Sequence, residues 1–165
     1  AMDIKTVLLS AAGCYAAVTL VFRGLARHTA SAGELAAVRL ALDGRNVELT
    51  ALRDTGNTLT DPVTGRPVMV AEGSRLSPLL PGERVLDEKA LRDPVGTLER
   101  LSRGGRGRRF RLLPYQAVGV ECGMLLALRL DDARVGAEDY GGILVALSPN
   151  PVSDGGGYSA LIGET

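Results

Sequence analysis

An aspartate, a hydroxyl residue and a glycine in a row, Asp54-Thr55-Gly56, break into the stretch "ALRDTGNTLTDPVTGRPVMV" that runs from Ala51 to Val70. An apolar, strand-like run leads straight into the carboxylate. Hydrolysis of a peptide bond near neutral pH needs a water that loses a proton and a carbonyl that is polarised. Two carboxylates sharing one proton supply both, because like charges a few ångströms apart do not both ionise. Gly56 lets the chain bend and lets a partner approach without a Cβ in the way, and Thr55 is suited to bonding across a symmetry axis. The same three residue types are also ordinary turn formers, so the tripeptide alone is equally a turn.

The chain contains a single Asp-Thr-Gly and therefore one carboxylate of the two. Asp43-Gly44 and Asp154-Gly155 do not follow an apolar run in the way Asp54 does. A two-fold homodimer resolves the shortage by bringing Asp54 of each copy to the axis. Competing chemistries find little material. Cys14, Cys122 and the single His28 lack a zinc-ligand spacing, Cys122 reads as a small core residue with a reactive thiol as the alternative, and Ser-His-Asp or Cys-His mechanisms would rest on His28 alone. No metal or other cofactor is expected.

The elements that must position Asp54 are short. "VRLAL" (Val38–Leu42) and "VELTAL" (Val47–Leu52) flank "DGRN", the chemistry of a β-hairpin turn. Asp61-Pro62 and Thr64-Gly65 mark a tight turn before "RPVMVA", Arg66 to Ala71, which reads as the next strand. Asp87 to Arg92 reads as helical, and Asp93-Pro94 opens a second helix with a carboxylate cap and proline at its first position, presenting Leu98 and Leu101 on one side. "FRLLPYQAVGV", "GMLLALRLDDARVG" and "GGILVALS" are apolar runs fit for buried strands, and "GGGYSALIGET" closes the chain. The expected fold is mainly β with short helices.

Nineteen basic residues balance nineteen acidic ones, which removes any global field toward nucleic acid. The stretch Thr6 to Phe22 holds seventeen residues without a charge, bounded by Lys5 and by Arg23, Arg27 and His28. It reads as a short membrane span, with a signal peptide or an apolar helix packed on protein as the alternatives. Arginines behind a span stay on the cytoplasmic side. The expected organisation is an apolar helix with its basic flank over 1–27, a linker over 28–34 and a catalytic domain over 35–165. The opening Ala-Met suggests the tail of a longer protein.

The order strand, Asp-Gly hairpin, strand, Asp-Thr-Gly resembles the N-terminal layout of a retroviral-type aspartic protease subunit. Taken together, "DTGNTLTDPVTGRPVMV", "LLPYQAVG", "GGILVALSP" and "GYSALI" are similar to the sporulation sigma-E factor-processing peptidases. That resemblance implies a retropepsin-like half-barrel behind a membrane part, on the cytoplasmic side of the bacterial cell membrane. It further implies a homodimeric aspartic endopeptidase whose protein substrate is a sigma-factor precursor, pro-sigma-E, and an activating protein signal. Carried onto this chain, Asp54 is the catalytic aspartate, supported by Thr55, Gly56 and Asn57. Asn57 either closes the turn or orients substrate backbone. The rival readings are a retropepsin-like peptidase with another cytoplasmic substrate and a membrane-anchored regulatory module without peptidase activity.

Two further features admit more than one reading. "LLPYQAVGVECGMLL" fits a flap-like hairpin over a substrate strand, with Tyr115 and Gln116 as binding residues, and equally fits core strands. Arg100, Arg103, Arg106, Arg108, Arg109 and Arg111 fall within twelve residues. They read as a solvated mobile loop or as a contact for an acidic substrate or anionic lipid, while the scarcity of aromatic partners argues against nucleic acid.

Overall fold

The Asp-Gly pair turns the chain as its chemistry predicts. Asp43 and Gly44 both take positive φ, 48° and 76°, the backbone that a tight two-residue hairpin needs to match the twist of its strands. In the computed structural model the described residues are 33–54, 56–117 and 120–163, without the side chains of 85, 117 and 120–122. The expectations for the Thr6–Phe22 span, the linker up to residue 32, Cys14, His28, Thr55 and the Cys122 side chain lie outside them. Among the described residues no helix is long and apolar enough to cross a membrane.

The hairpin strands are β1 (Leu35–Leu42) and β2 (Arg45–Arg53), antiparallel along their whole length. Strand β3 (Met69–Glu72) follows, then 3₁₀ turns at Gly73–Leu79 and Arg84–Leu86, helix α1 (Glu88–Leu91), helix α2 (Pro94–Arg103) and a 3₁₀ turn at Gly107–Arg109. The remainder is β4 (Phe110–Ala117), β5 (Val120–Arg129), β6 (Asp132–Val135), β7 (Glu138–Asp139), β8 (Leu144–Ser148) and β9 (Ala160–Ile162). The fold is mainly β. Among the described residues these nine strands form one sheet in the order β4-β5-β8-β3-β9-β2-β1-β6-β7. The last strand thus lies between β2 and β3, parallel to β2 and antiparallel to β3.

The central strands are buried on both faces, which is why they read as unbroken apolar runs. On β8, Val145 and Leu147 join the larger core, while Leu144 and Ala146 join a smaller one with Val68, Leu113 and Ala127. The segment between β3 and β4 covers the larger core through Leu76, Leu79, Leu86, Leu91 and Leu101. Helix α2 starts where Asp93-Pro94 predicts. Asp93 Oδ1 accepts the Gly96 N–H at 3.1 Å, and Pro94 occupies the first turn, where no N–H is needed.

Two strand boundaries differ from expectation. The third strand begins at Met69 rather than Arg66, because residues 57–68 first fold back on themselves. Thr60 pairs with Pro67, which has no N–H for a longer ladder, and Val68 N donates to Leu59 O at 2.9 Å. The run from Gly123 to Gly136 splits at Leu130-Asp131. Leu130 N there donates to Ile143 O at 2.9 Å and Asp131 N to Ala41 O at 3.0 Å, so the chain leaves β8 and joins β1.

Candidate active site

Strand β9 holds the chain at the point where it leaves β2. Its register sets Arg53 opposite Ile162, and Asp54 N donates to Ile162 O at 2.9 Å. The loop then tightens around the carboxylate. Gly56 N donates to Asp54 Oδ1 at 2.9 Å, and Asn57 N donates to Asp54 O at 3.1 Å. A Cβ on Gly56 would stand 3.2 Å from the same Oδ1, closer than side chains ordinarily come. Asp54 stays half-buried, with one oxygen held by backbone.

Asn57 locks the loop from within. Its Nδ2 donates to Val68 O at 3.3 Å and its Oδ1 accepts Leu59 N at 3.2 Å, so the amide is engaged in turn closure. Gly163, directly after β9, presses on the loop from outside. A Cβ there would lie 2.4 Å from Asn57 O, a contact that only backbone movement could relieve. Sequence reading did not single out Gly163. Its signal was Leu161-Ile162-Gly163, two apolar residues and a glycine ending the last strand.

Next to this loop runs an open groove of about 890 Å³. Gly56, Asn57, Thr58, Leu59 and Thr60 form one wall, and the β4–β5 hairpin forms another with Pro114, Tyr115, Gln116, Met124 and Leu125. Arg92, Pro94, Ser148, Pro149 and Asn150 close the far side. The structure thus brings Tyr115 and Gln116 to the same groove as Gly56 and Asn57. The base of the hairpin is core, and further along it Tyr115, Gln116 and Met124 line the groove. Leu113, Leu126, Ala127 and Leu128 are buried near its base, whereas Met124 toward the tip is 44% exposed. Arg92 is the one charged residue among the groove's described lining, and its Nη2 donates to Glu88 Oε1 at 2.8 Å and Asn150 Oδ1 at 2.7 Å.

Seven residues after Asp54 in the chain, a second aspartate anchors the loop to the hairpin. Asp61 is only 2% exposed. Its Oδ1 accepts Val63 N at 3.0 Å and pairs with Arg111 at 3.3 Å, while Oδ2 accepts Thr64 Oγ1 at 2.9 Å and pairs with Arg129 at 3.2 Å. Burial pushes the carboxyl's pKa up, but the Val63 N–H, the Thr64 hydroxyl and the two guanidiniums outweigh it and hold the pKa below its ordinary value. The base of the hairpin is thereby fixed to the Asp54 loop.

The arginine cluster is largely tied down rather than free. Arg109 joins Asp43 and Asp131, each at 2.7 Å, Arg106 pairs with Glu83, Arg100 donates to Thr97 Oγ1 at 2.7 Å and Arg103 meets Glu99 at 3.6 Å. With Arg111 on Asp61, the mobile-loop reading gives way to a set of ordered contacts. Its spacing hid this because every one of these acids except the adjacent Glu99 lies far from the cluster in sequence.

A family model described as sporulation factor SpoIIGA, a peptidase family, matches residues 1–165. The chain belongs to this family. Among curated relatives of this SpoIIGA-family chain, a Bacillus thuringiensis subsp. kurstaki protein named for sporulation sigma factor processing is 29% identical over 137 residues, 78% of this chain and 81% of the relative. The sporulation sigma-E factor-processing peptidase of Bacillus subtilis (strain 168) is 27% identical over 134 residues, 78% of this chain and 43% of its own length. That of Priestia megaterium (strain ATCC 12872 / QMB1551) is 29% identical over 102 residues, 62% of this chain and 33% of the relative. The chain therefore spans less than half of the latter two. No solved structure matches it.

Proposed function

We propose that this chain is one half of a membrane-tethered aspartic endopeptidase of retropepsin-like architecture, on the cytoplasmic side of the membrane, that cleaves a sporulation sigma-factor precursor. Two copies contribute one Asp54 each. The observation that carries the reading is a single accessible Asp54 carboxylate, oriented by the Gly56 N–H beside a groove whose described lining offers no carboxylate of its own. The names of the relatives, which describe sigma-factor processing, support the substrate class.

In the mechanism, the two Asp54 carboxylates face each other across the two-fold axis and share one proton. The ionised one takes a proton from the attacking water while the protonated one donates to the substrate carbonyl oxygen. The pair titrates as a unit, so its pH dependence belongs to both copies. The substrate lies in the groove as an extended strand between the Asp54 loop and the β4–β5 hairpin, where main-chain pairing gives affinity and side-chain recesses give choice. Thr55 supports the motif by bonding between copies, and a protein signal switches the enzyme on.

The test is Asp54→Ala assayed on the sigma precursor, with far-UV circular dichroism to check folding. The expected result is a folded chain without cleavage. Retained cleavage overturns the assignment, and equal cleavage of unrelated proteins by the unaltered chain overturns the substrate class alone.

A further inference from the structure

Glycine inside a strand gives up backbone entropy, roughly 0.5–1 kcal/mol relative to alanine, and its presence often marks a close approach by another group. Gly123 of β5 stands directly opposite Tyr115 of β4. A Cβ added to Gly123 would lie 2.3 Å from Tyr115 Cε1, 2.4 Å from Cζ and 2.8 Å from the hydroxyl oxygen. The phenol therefore occupies the space that a side chain at 123 would fill, lying across the strand from ring edge to hydroxyl.

That position coincides with the point where packing stops and the groove opens. In the alternation of the hairpin, Leu113 and Leu125 share a face with Tyr115 and Gly123. Leu113 and Leu125 belong to the small core that includes Val68 and Leu59 from the loop after Asp54. One step toward the tip, the half-buried Tyr115 lines the groove with Gly56 and Asn57. The register also shifts between Tyr115 and Ala117, so the hairpin bends just beyond the ring. An atom added at Gly123 displaces the ring, and a ring lifted off the sheet enters the groove that it lines.

The geometry points to Gly123 as a specificity-determining residue. By letting Tyr115 lie down on the sheet, it sets the largest side chain that a substrate strand can place between the hairpin and the Gly56–Asn57 wall. The inference rests on the groove's holding a peptide substrate, as proposed above, and adds to it a size limit with a named cause. Gly123 needs no contact with the substrate for this, because it acts through the ring.

The experiment compares the unaltered chain with Gly123→Ala, Tyr115→Ala and the double variant. The probes are sigma-precursor substrates in which each residue flanking the cleavage point is changed in turn between alanine and phenylalanine. One extra methylene in a pocket changes discrimination by roughly 10–200-fold. Gly123→Ala is expected to lose at least about tenfold in kcat/KM on the substrate with phenylalanine at one position while keeping the alanine substrate. The double variant, with no ring to raise, is expected to regain the phenylalanine substrate. A merely structural glycine would lower cleavage of both substrates alike, with a matching loss in the urea midpoint, and that result overturns the inference. An unaltered chain that discriminates by size joined to a Gly123→Ala that discriminates identically also overturns it, leaving the peptidase reading intact. An unaltered chain that neither cleaves nor binds any of these substrates overturns both.

Discussion

Two aspartates seven positions apart in one loop have opposite surroundings. Asp61 is buried, accepts from the Val63 N–H and the Thr64 hydroxyl, and faces Arg111 and Arg129. Asp54 is half-buried and, among the described residues, has only the Gly56 N–H on its side chain. A carboxylate with every lone pair engaged by fixed partners has nothing left for a substrate water. One held by a single backbone donor keeps its direction and a free oxygen. The loop thus carries one aspartate spent on anchoring it to the hairpin and one whose carboxylate keeps an oxygen without a partner among the described residues, the asymmetry that the proposed function requires.

Removing the anchor has the largest expected effect on stability. Asp61→Ala leaves the Arg111 and Arg129 guanidiniums without the carboxylate they share. Loss of one member of a fully buried pair costs about 3–5 kcal/mol. Since Arg111 and Arg129 are each about a third exposed, we expect the low end of that range, about 3 kcal/mol, read by urea unfolding. The same carboxylate sets an acid limit. Its folded pKa lies below the unfolded value, so its contribution is fully present above the ordinary carboxylate range and is lost as pH falls through the folded value, below about 4. Asp131 and Glu138 are lowered as well, chiefly by side-chain hydrogen bonds from Arg109 and Arg53. Asp61→Asn should flatten the acid limb of stability against pH without abolishing it.

Gly163→Ala perturbs the Asp54 side of the comparison and leaves Asp61 untouched. The new methyl meets Asn57 O at 2.4 Å, and crowding of this kind costs typically 1–3 kcal/mol. The expected outcome is about 2 kcal/mol of destabilisation together with a fall in cleavage larger than that of Asp61→Asn. Equal losses in the two variants would show that the loop responds as one body and that the contrast is empty.

A third aspartate gives the smallest effect. Asp93 caps α2 through the Gly96 N–H, far in sequence from the loop, and replacement by alanine removes about 1 kcal/mol. Cleavage of the sigma precursor at a temperature well below unfolding should be unchanged. Thermal unfolding alongside the cleavage assay separates this case from the other two.

Local chemistry explains which parts could be read in advance. Asp43-Gly44 demanded a hairpin, Asp93-Pro94 demanded a helix start, and the apolar runs demanded buried strands, because each signal is complete within a few residues. The Asp54 loop was visible for the same reason, as was the place of Tyr115 and Gln116 in a hairpin. Long-range pairing was not legible. Nothing in "SALIG" tells that β9 inserts between β2 and β3, and Gly163 acquires its meaning only when Asn57 O lies against it. Arg109 and Arg111 looked free because Asp43 and Asp61, which hold them, are many residues away. Gly123 carried no signal of its own in the sequence, since only the cross-strand register sets Tyr115 against it.

The central claim is that one Asp54 carboxylate acts only with a second copy of itself. The direct measurement mixes unaltered chains with Asp54→Asn chains at constant total concentration, under conditions of free exchange, and follows precursor cleavage against the unaltered fraction. The account predicts a fall with the square of that fraction, because only assemblies with two intact carboxylates cut. A fall in simple proportion would show that each chain cuts alone, and would contradict it.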